Sequence, residues 1–463
     1  MSRSAANFVL IVIVLAYLSI GAALALQTPA WQAPDEPAHD NYIKSIAVKQ
    51  ELPTLQSGDY DQAYNEDFTR TPQNTATQSI DPLRYENYAP PLYYLLAAPV
   101  YALTDGWIVA LRLFSVILGG GLVVVAYLCA AEVFPQQLPL ALGTAAFVAF
   151  VPQHLVMLSA VNNDSLSELL IALVLWQSLR LVRSPAAPTR QFAGLGVTLG
   201  LGLLTKSTFY YTAVPIAFVA ILLHTKSRPD RSSSFLSLVI RHLSFTFIPA
   251  LLIAAPLWLR NLSVYGGLDV MGLARHNAVV VGQPTTAQWI VDHGVGGLLQ
   301  HFFTTTYQSF WGQFGWMAVP MPDREYLLLG ALSIIALIGW VGWLIAGRRK
   351  QAARQSQYGG LLLTLLLLLT VGGYLYYNLT FVQHQGRYLF PALIPIGLAF
   401  SIGWWQVLDQ IKAWLARLLS RSTRDWTPWL DEAQLILFAL IFIYLARLDL
   451  VALQRYILPN LSA

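Results

Sequence analysis

Long runs of apolar residues, separated by short polar segments, dominate this chain. Runs close to the roughly 20 residues that a membrane-crossing helix needs predict about eleven spans. These runs lie near 8–27, 110–131, 138–158, 164–182, 192–205, 208–224, 236–258, 326–346, 359–377, 388–408 and 431–447. The pattern therefore predicts an all-α polytopic membrane protein.

Two long loops, 27–106 and 260–325, separate the apolar runs. Within the first, prolines and acids crowd the first turn of 34–50, which is typical of a helix start. The apolar stretch 88–103 is short and rich in proline, so it predicts a re-entrant or interface-lying helix. The stretch 57–79 has no hydrophobic period, and we expect a mobile loop there.

Composition and charge narrow the class of protein. Hydrophobic residues make up 56% of the chain and charged residues only 11%, which is the composition of a polytopic membrane protein. The lone cysteine, Cys129, excludes a disulfide or a cysteine-based metal site within one chain. Because no Lys/Arg cluster is interleaved with aromatic residues, we expect no nucleic-acid partner.

The distribution of cations predicts the orientation in the membrane. With a cytoplasmic N-terminus, most Lys and Arg residues fall on the inner side, as the positive-inside rule requires. They are Arg3, Arg180, Arg183, Arg190, Lys226, Arg228, Arg231, Arg241, Arg348, Arg349, Lys350, Arg354, Lys412, Arg417, Arg421 and Arg424. We therefore expect a multi-pass protein of the inner or plasma membrane, with both long loops and the C-terminus outside.

The first outer loop begins with a dense group of ionisable residues that includes Asp35, Glu36 and His39. Charge at a membrane boundary is costly, which favours chemistry; a solvated loop with helix-capping acids is the alternative. Adjacent helical residues point about 100° apart, so one acid could serve as a general base while an Arg or Lys holds the other. His39 shares the Asp35 helix face and could orient the base, ligate a metal or face water.

The end of the first outer loop is rich in tyrosine and proline. Two prolines, the second being Pro91, force a turn and then a helix start. This leaves Glu86, Tyr88 and Tyr93 at the mouth of a pocket near the membrane interface. Together with Pro91, they are candidate pocket residues. An aromatic belt would explain the tyrosines equally well.

Three charged residues mark the ends of later spans on the same face. Arg112 could snorkel to the surface or pair with an acid of the first loop. Asp164 is expected to cap the fourth span and to shape a pocket floor. Lys206 is a lone cation between apolar runs, so it needs an anionic partner, for which a phosphate, Asp35 or Glu36 would qualify.

The tenth span opens with His384, Arg387 and Tyr388 in close succession. The planar fork of arginine suits bidentate phosphate recognition, and Gly386 would permit close backbone approach. This segment is the best candidate anion clamp in the sequence. The alternative is that Arg387 only marks the membrane interface.

Together these motifs resemble the GT-C superfamily of membrane glycosyltransferases, which includes protein O-mannosyltransferases and the aminoarabinose transferase of lipid A. Residues 34–37 match the acidic Asp-Glu motif of that family's first outer loop. The Pro-Pro-Leu of 90–92 matches its His-Pro-Pro-Leu motif, but Ala89 stands where the family has histidine.

Further segments extend the resemblance over about 8–410. Arg112, Asp164 and the Leu-Thr-Lys that ends at Lys206 look like this superfamily. The segments 162–165 and 386–391 are closer still to a DUF2142-type family of bacterial membrane proteins.

The resemblance implies a polyprenyl-phosphate sugar donor, inversion at the anomeric carbon, and a glycan, lipid or protein acceptor outside the cytoplasm. It makes Asp35 the candidate base, with Glu36 as its substitute. It implies phosphate contacts from Arg387 and Lys206, to which we add Tyr388 and His384 as donor-binding candidates.

The resemblance also bears on cofactors and domains. It assigns no metal site, and it leaves a divalent cation open because some relatives need one and others do not. It predicts a GT-C-like catalytic module over 1–410, followed by a cytoplasmic loop and a last span over 411–463.

Two other classes of protein compete with the enzyme. A transporter or lipid flippase would also explain the spans and charges, but it predicts repeat symmetry and charges near the midplane, whereas these charges cluster near one rim. A non-catalytic scaffold in envelope polysaccharide assembly is the third interpretation. A scaffold would tolerate Asp35→Asn, and a catalyst would not.

Overall fold

The protein is an all-α polytopic membrane protein. A computed structural model describes five stretches of the chain: 1–184, 186–227, 234–347, 354–420 and 426–462. Part of the predicted inner positive charge lies outside these described residues, namely Arg228, Arg231, Arg348, Arg349, Lys350, Arg421 and Arg424.

The first half of the chain alternates long helices with the shorter helices of the first loop. In chain order they are α1 (Arg3–Gln27), α2 (Glu36–Lys49), α3 (Gln62–Arg70), α4 (Pro72–Thr77), α5 (Leu92–Leu103), α6 (Ile108–Val133), α7 (Leu138–Phe150), α8 (Pro152–Leu158), α9 (Asp164–Arg183) and α10 (Thr189–Leu203). A 3₁₀ turn, Tyr85–Tyr88, precedes α5.

The described part of the second half is also mainly helical and contains two short antiparallel strands, β1 (Gln313–Phe314) and β2 (Val319–Pro320). Its helices are α11 (Thr208–Ser227), α12 (Phe235–Tyr265), α13 (Leu273–Val279), α14 (Thr286–Trp311), α15 (Asp323–Gly347), α16 (Arg354–Asn378), α17 (Leu393–Leu419), α18 (Thr427–Val451) and α19 (Leu458–Leu461). A 3₁₀ turn, Gly386–Ala392, leads into α17, and a π-helical turn, Ala452–Ile457, leads into α19.

Nine helices of the described stretches are long and apolar enough to cross a membrane, or ten if α7 and α8, bent by 65°, form one span. The sequence pattern predicted about eleven such spans. The difference is the run at 192–205, because its helix α10 has only 15 residues, or about 22 Å at the usual helical rise. α10 packs closely on α12 at Gly196, where an added Cβ would collide with the carbonyl of Thr246.

The first outer loop is more regular than expected. The stretch 57–79, predicted to be a mobile loop, contains the helices α3 and α4, so that prediction is wrong. Asp61 and Thr71 accept hydrogen bonds from backbone amides at the starts of these helices, and the fully buried Phe68 anchors α3 in a small apolar cluster. Side-chain capping stabilises short helices that have no long hydrophobic period.

The C-terminal helices are packed against the rest of the bundle. The predicted domain boundary at 410 falls inside α17. Phe438 of α18 lies against Trp405 of α17, with ring centroids 5.2 Å apart, and against Gly143 of α7. The division into 1–410 and 411–463 stays a prediction about function.

Candidate functional site

Asp35 lies in the tight connection between α1 and α2, with a left-handed backbone conformation (φ 68°). Aspartate is among the few side chains that adopt this region, at a modest cost. Its Oδ2 accepts a hydrogen bond from Arg387 Nη2 at 2.8 Å, and its Oδ1 accepts one from the Tyr85 hydroxyl at 3.0 Å. The fold therefore joins two predicted site residues in one ion pair.

The charge of Asp35 is stabilised in this position. Burial by itself would raise the pKa of the Asp35 carboxyl, but the charge of Arg387 and the hydrogen bonds from Arg387 and Tyr85 hold that pKa below its usual range. The side chains of Arg387 and Asp35 are 12% and 25% exposed, so the pair remains open to a ligand.

Glu36 points away from this pair into the bundle. Arg112 binds it through two parallel hydrogen bonds, from Nε to Oε1 at 2.8 Å and from Nη2 to Oε2 at 2.7 Å. The backbone amides of Trp31 and Val161 also donate to the carboxylate, each at 3.1 Å. Because the side chains of Glu36 and Arg112 are 0% and 2% exposed, the geometry does not favour Glu36 as a substitute base. Arg112 pairs with a first-loop acid, which was one of its two predicted fates.

A second ion pair, between Lys206 and Asp164, lies at the ends of α9 and α10. Lys206 Nζ donates to Asp164 Oδ1, so its partner is neither Asp35 nor Glu36. Burial would lower the pKa of Lys206, but the adjacent Asp164 raises it above its usual range. Asp164 starts α9 without capping it through its side chain. These side chains are 28% and 26% exposed and therefore accessible.

Glu86, on the 3₁₀ turn before α5, is the third accessible carboxylate. In the part of the chain that the structure describes, its carboxylate has no hydrogen-bond or ion-pair partner. The charges with the largest effect on it are those of Asp35, Lys206, Asp164 and Arg387. Burial, followed by the charge of Asp35, raises the pKa of Glu86 to about 7. We call Asp35, Glu86, Asp164, Lys206 and Arg387 the charged cluster.

His39 and the tyrosines of the first loop line the charged cluster or support it. His39 Nδ1 lies 2.9 Å from the hydroxyl of Tyr94, which also accepts a hydrogen bond from Asn163. Burial lowers the pKa of His39 to about 4, so the ring is neutral near pH 7. Tyr93 is a packing residue, because its hydroxyl meets Ser115 and the backbone amide of Asn162 inside the bundle.

Three further predicted site residues, Tyr388, Tyr88 and Pro91, contact other parts of the fold. Tyr388 lies beside Arg387, whose Cζ is 5.5 Å from the ring centroid, and Tyr88 packs on His276 of α13. Buried Pro91 begins α5, whose first amide, that of Leu92, donates to the carbonyl of Leu204 at 2.8 Å.

His384 contacts the second outer loop instead of the charged cluster. Its Nδ1 lies 2.6 Å from Nδ1 of His301, and its ring packs edge-on against Phe302. Burial and then the charge of His301 lower the pKa of His384 to about 4. The geometry therefore gives no support to His384 as a phosphate contact. Among the described residues, no group of three His, Cys, Asp or Glu side chains is arranged to hold a metal ion.

Sequence reasoning missed two residues that hold the site together. Tyr85 donates to Asp35, and Tyr94 bridges His39 and Asn163. Both lie in the tyrosine-rich end of the first loop, but composition alone does not distinguish a tyrosine that binds a site residue from one that faces lipid.

Comparison with known proteins identifies the fold. No curated protein sequence matches this chain. Among solved structures, ArnT from Cupriavidus metallidurans in the apo state is similar, with a TM-score of 0.50 and 14% identity over 99% of this chain and 74% of that chain. The Archaeoglobus fulgidus oligosaccharyltransferase tethered with an acceptor peptide has a TM-score of 0.53 and 14% identity, over 98% of this chain and 56% of its own.

Both of these proteins are GT-C glycosyltransferases. At this level of identity the likeness concerns the fold alone, and it agrees with the resemblance carried by the motifs. The family model for "Predicted membrane protein (DUF2142)" matches residues 47–395, which is most of the chain. The chain therefore has a GT-C fold and belongs to the DUF2142 family of membrane proteins.

Proposed function

We propose that this protein is a glycosyltransferase that moves a sugar from a polyprenyl-phosphate carrier to an acceptor on the extracytoplasmic face, with inversion at the anomeric carbon. One observation carries the proposal. The ends of separate helices bring the two cations and three carboxylates of the charged cluster together, all partly exposed, within a GT-C fold.

The two cations suit the donor phosphate. As the bond between the sugar and the phosphate breaks, negative charge grows on the leaving phosphate, and fixed cations stabilise it. Arg387 and Lys206 are both held in place by carboxylates before any ligand binds. They therefore need little reorganisation to meet a phosphate, which is the condition for effective electrostatic stabilisation.

The carboxylates suit the acceptor. A hydroxyl or similar group of the acceptor must lose a proton as the new bond to the sugar forms, and a positioned carboxylate can take it. A glycan, lipid or protein acceptor would reach this end of the bundle from the outer loops. Ala89, in place of the histidine of the related motif, makes the acceptor side of this protein different from that of the relatives that carry the histidine.

The test is donor binding and turnover by the purified protein in lipid, with a panel of polyprenyl-phosphate sugars. We expect Arg387→Ala to weaken donor binding by about 10- to 100-fold, because a charge-assisted hydrogen bond contributes roughly 1.5–3 kcal/mol. Arg324→Ala is the matched control: Arg324 also pairs with a carboxylate, that of Glu325, but its side chain is 69% exposed. Equal binding by the parent and Arg387→Ala, or no binding of any donor by the parent, would contradict the proposal.

A further inference from the structure

We infer that Glu86, and not Asp35, is the group that accepts the proton of the attacking acceptor. This inference rests on the proposed function and assigns one step of it. Glu86 lies on the 3₁₀ turn Tyr85–Tyr88 with a partly exposed side chain, near enough to the other members of the charged cluster for their charges to act on it. Of the accessible carboxylates in the described cluster, Glu86 is the one without a hydrogen-bond or ion-pair partner.

The other acids are less suited to accept a proton because each already binds a cation. Protonation of Asp35 would break its pair with Arg387 and weaken its hydrogen bond from Tyr85. Protonation of Asp164 would break the pair with Lys206. In both cases the proton would neutralise the carboxylate that holds a candidate phosphate contact, at the moment when the leaving phosphate needs that cation in place.

The electrostatic surroundings of Glu86 point the same way. The negative charges of Asp35 and Asp164 raise its proton affinity, and the positive charges of Lys206 and Arg387 lower it. With burial included, the pKa of Glu86 rises to about 7, whereas that of Asp35 is lowered. A general base works best when its pKa lies near the working pH, and Glu86 meets this condition.

The transfer step can be written with Glu86 as the base. The acceptor oxygen attacks the anomeric carbon, and its proton passes to a carboxylate oxygen of Glu86. The bond between the anomeric carbon and the phosphate oxygen breaks, and its electron pair stays on the phosphate, which is stabilised by Arg387 and Lys206. Glu86 is then neutral and returns its proton to water. In this scheme Asp35 is a positioning residue that acts through Arg387.

The deciding experiment compares Glu86→Gln, Asp35→Asn and the parent, assayed for transfer and for donor binding in lipid. We expect Glu86→Gln to lower kcat by roughly 10²- to 10⁴-fold with the donor KM unchanged. Asp35→Asn should change the donor KM, because it releases Arg387. Glu51→Gln is the control, since Glu51 is an exposed acid of the same loop, just after α2.

The possible results separate the two proposals. If no donor is bound or turned over by the parent, the proposed function fails and the Glu86 assignment falls with it. If the parent is active and Glu86→Gln is equally active, only the Glu86 assignment is overturned. A kcat loss confined to Asp35→Asn, with the donor KM unchanged, would return the base to Asp35.

A second measurement does not depend on activity. Because the pKa of folded Glu86, about 7, lies above the value of roughly 4.3 for an unfolded glutamate, ionisation of this side chain destabilises the fold fully at pH 8 and much less at pH 5. Glu86→Gln should therefore raise the melting temperature over the parent at pH 8, with a smaller gain at pH 5. A change that is the same at both pH values would overturn the assignment. The melting measurement would also reveal any failure of the variant to fold.

Discussion

Asp35 and Glu36 are adjacent in the chain, yet they face different surroundings because the backbone turns between them. Asp35 adopts a left-handed conformation (φ 68°), and Glu36 begins α2. As a result, Asp35 turns toward Tyr85 and Arg387, whereas Glu36 enters the bundle and binds Arg112. One carboxylate is available to a ligand and the other holds α1, α2 and α6 together.

The Glu36–Arg112 pair should be essential for stability. Arg112 also donates to the carbonyls of Ala25, Thr28 and Pro29 at the end of α1. Arg112→Ala would leave Glu36 charged and buried, which costs about 3–5 kcal/mol. The measurement is the free energy of unfolding in detergent or lipid.

The control for this prediction is Arg183→Ala. Arg183 pairs with Glu132 at an exposed position, with side chains 40% and 22% exposed, where such a pair contributes about 1 kcal/mol or less. Equal losses in the two variants would show that the buried pair has no special role.

Among the secondary-structure elements, the packing of the 3₁₀ turn Gly386–Ala392 against α14 fixes the position of Arg387. The amide of Gly386 donates to Ser309 Oγ at 2.7 Å. A Cβ added at Gly386 would lie only 2.5 Å from the carbonyl oxygen of Thr306 and from Cα of Phe310. Gly386 therefore allows close packing against α14, whereas the sequence indicated that it would permit close approach to a phosphate.

Gly386→Ala should displace the turn and, with it, Arg387. Because a shift of about 1 Å can cost on the order of 10² in rate, we expect transfer to fall by roughly tenfold to a hundredfold while the protein still folds. Gly372→Ala is a matched control, since a Cβ there meets no atom within 4 Å. Donor binding and melting temperature would be measured for both. Parental donor binding by Gly386→Ala would show that the turn adapts.

At the scale of the whole molecule, the charged cluster lies at one end of the helical bundle. The residues come from the start of α2, the 3₁₀ turns before α5 and α17, the start of α9, and the turn between α10 and α11. The positive-inside rule predicts that this end faces away from the cytoplasm. An external site would receive a lipid-linked donor, whereas a cytoplasmic one would have access to soluble donors.

Single cysteines would test this orientation. The native Cys129 is fully buried, so the parent should react little with a membrane-impermeant thiol reagent. In intact cells we expect labelling of Ala76→Cys, at an exposed position of α4, and no labelling of Gln136→Cys, at an exposed position in the turn between α6 and α7. Gln136→Cys should react once the membrane is opened. The reverse pattern would place the charged cluster in the cytoplasm and contradict the proposed donor.

The class of the protein and the residue types at its candidate site could be predicted from the amino-acid sequence alone. Crossing a membrane requires a minimum apolar length, which is visible in a single chain without any knowledge of contacts. Charged residues at the ends of such runs are rare and therefore conspicuous. For this reason the sequence predicted the order of the motifs, their position at one rim of the bundle and the likeness to GT-C enzymes. It also offered an acid of the first loop as one possible partner of Arg112.

Which charges pair and which have no partner depends on the folded arrangement of the helices. Asp35 and Arg387 are 352 positions apart, and no local period relates them, so several pairings of the same acids and cations were equally compatible with the sequence. The helices of 57–79 were missed because capping, and not hydrophobic period, stabilises them. The lack of a partner for Glu86 was likewise beyond the sequence, because it depends on how the other charges of the cluster pair across separate helices.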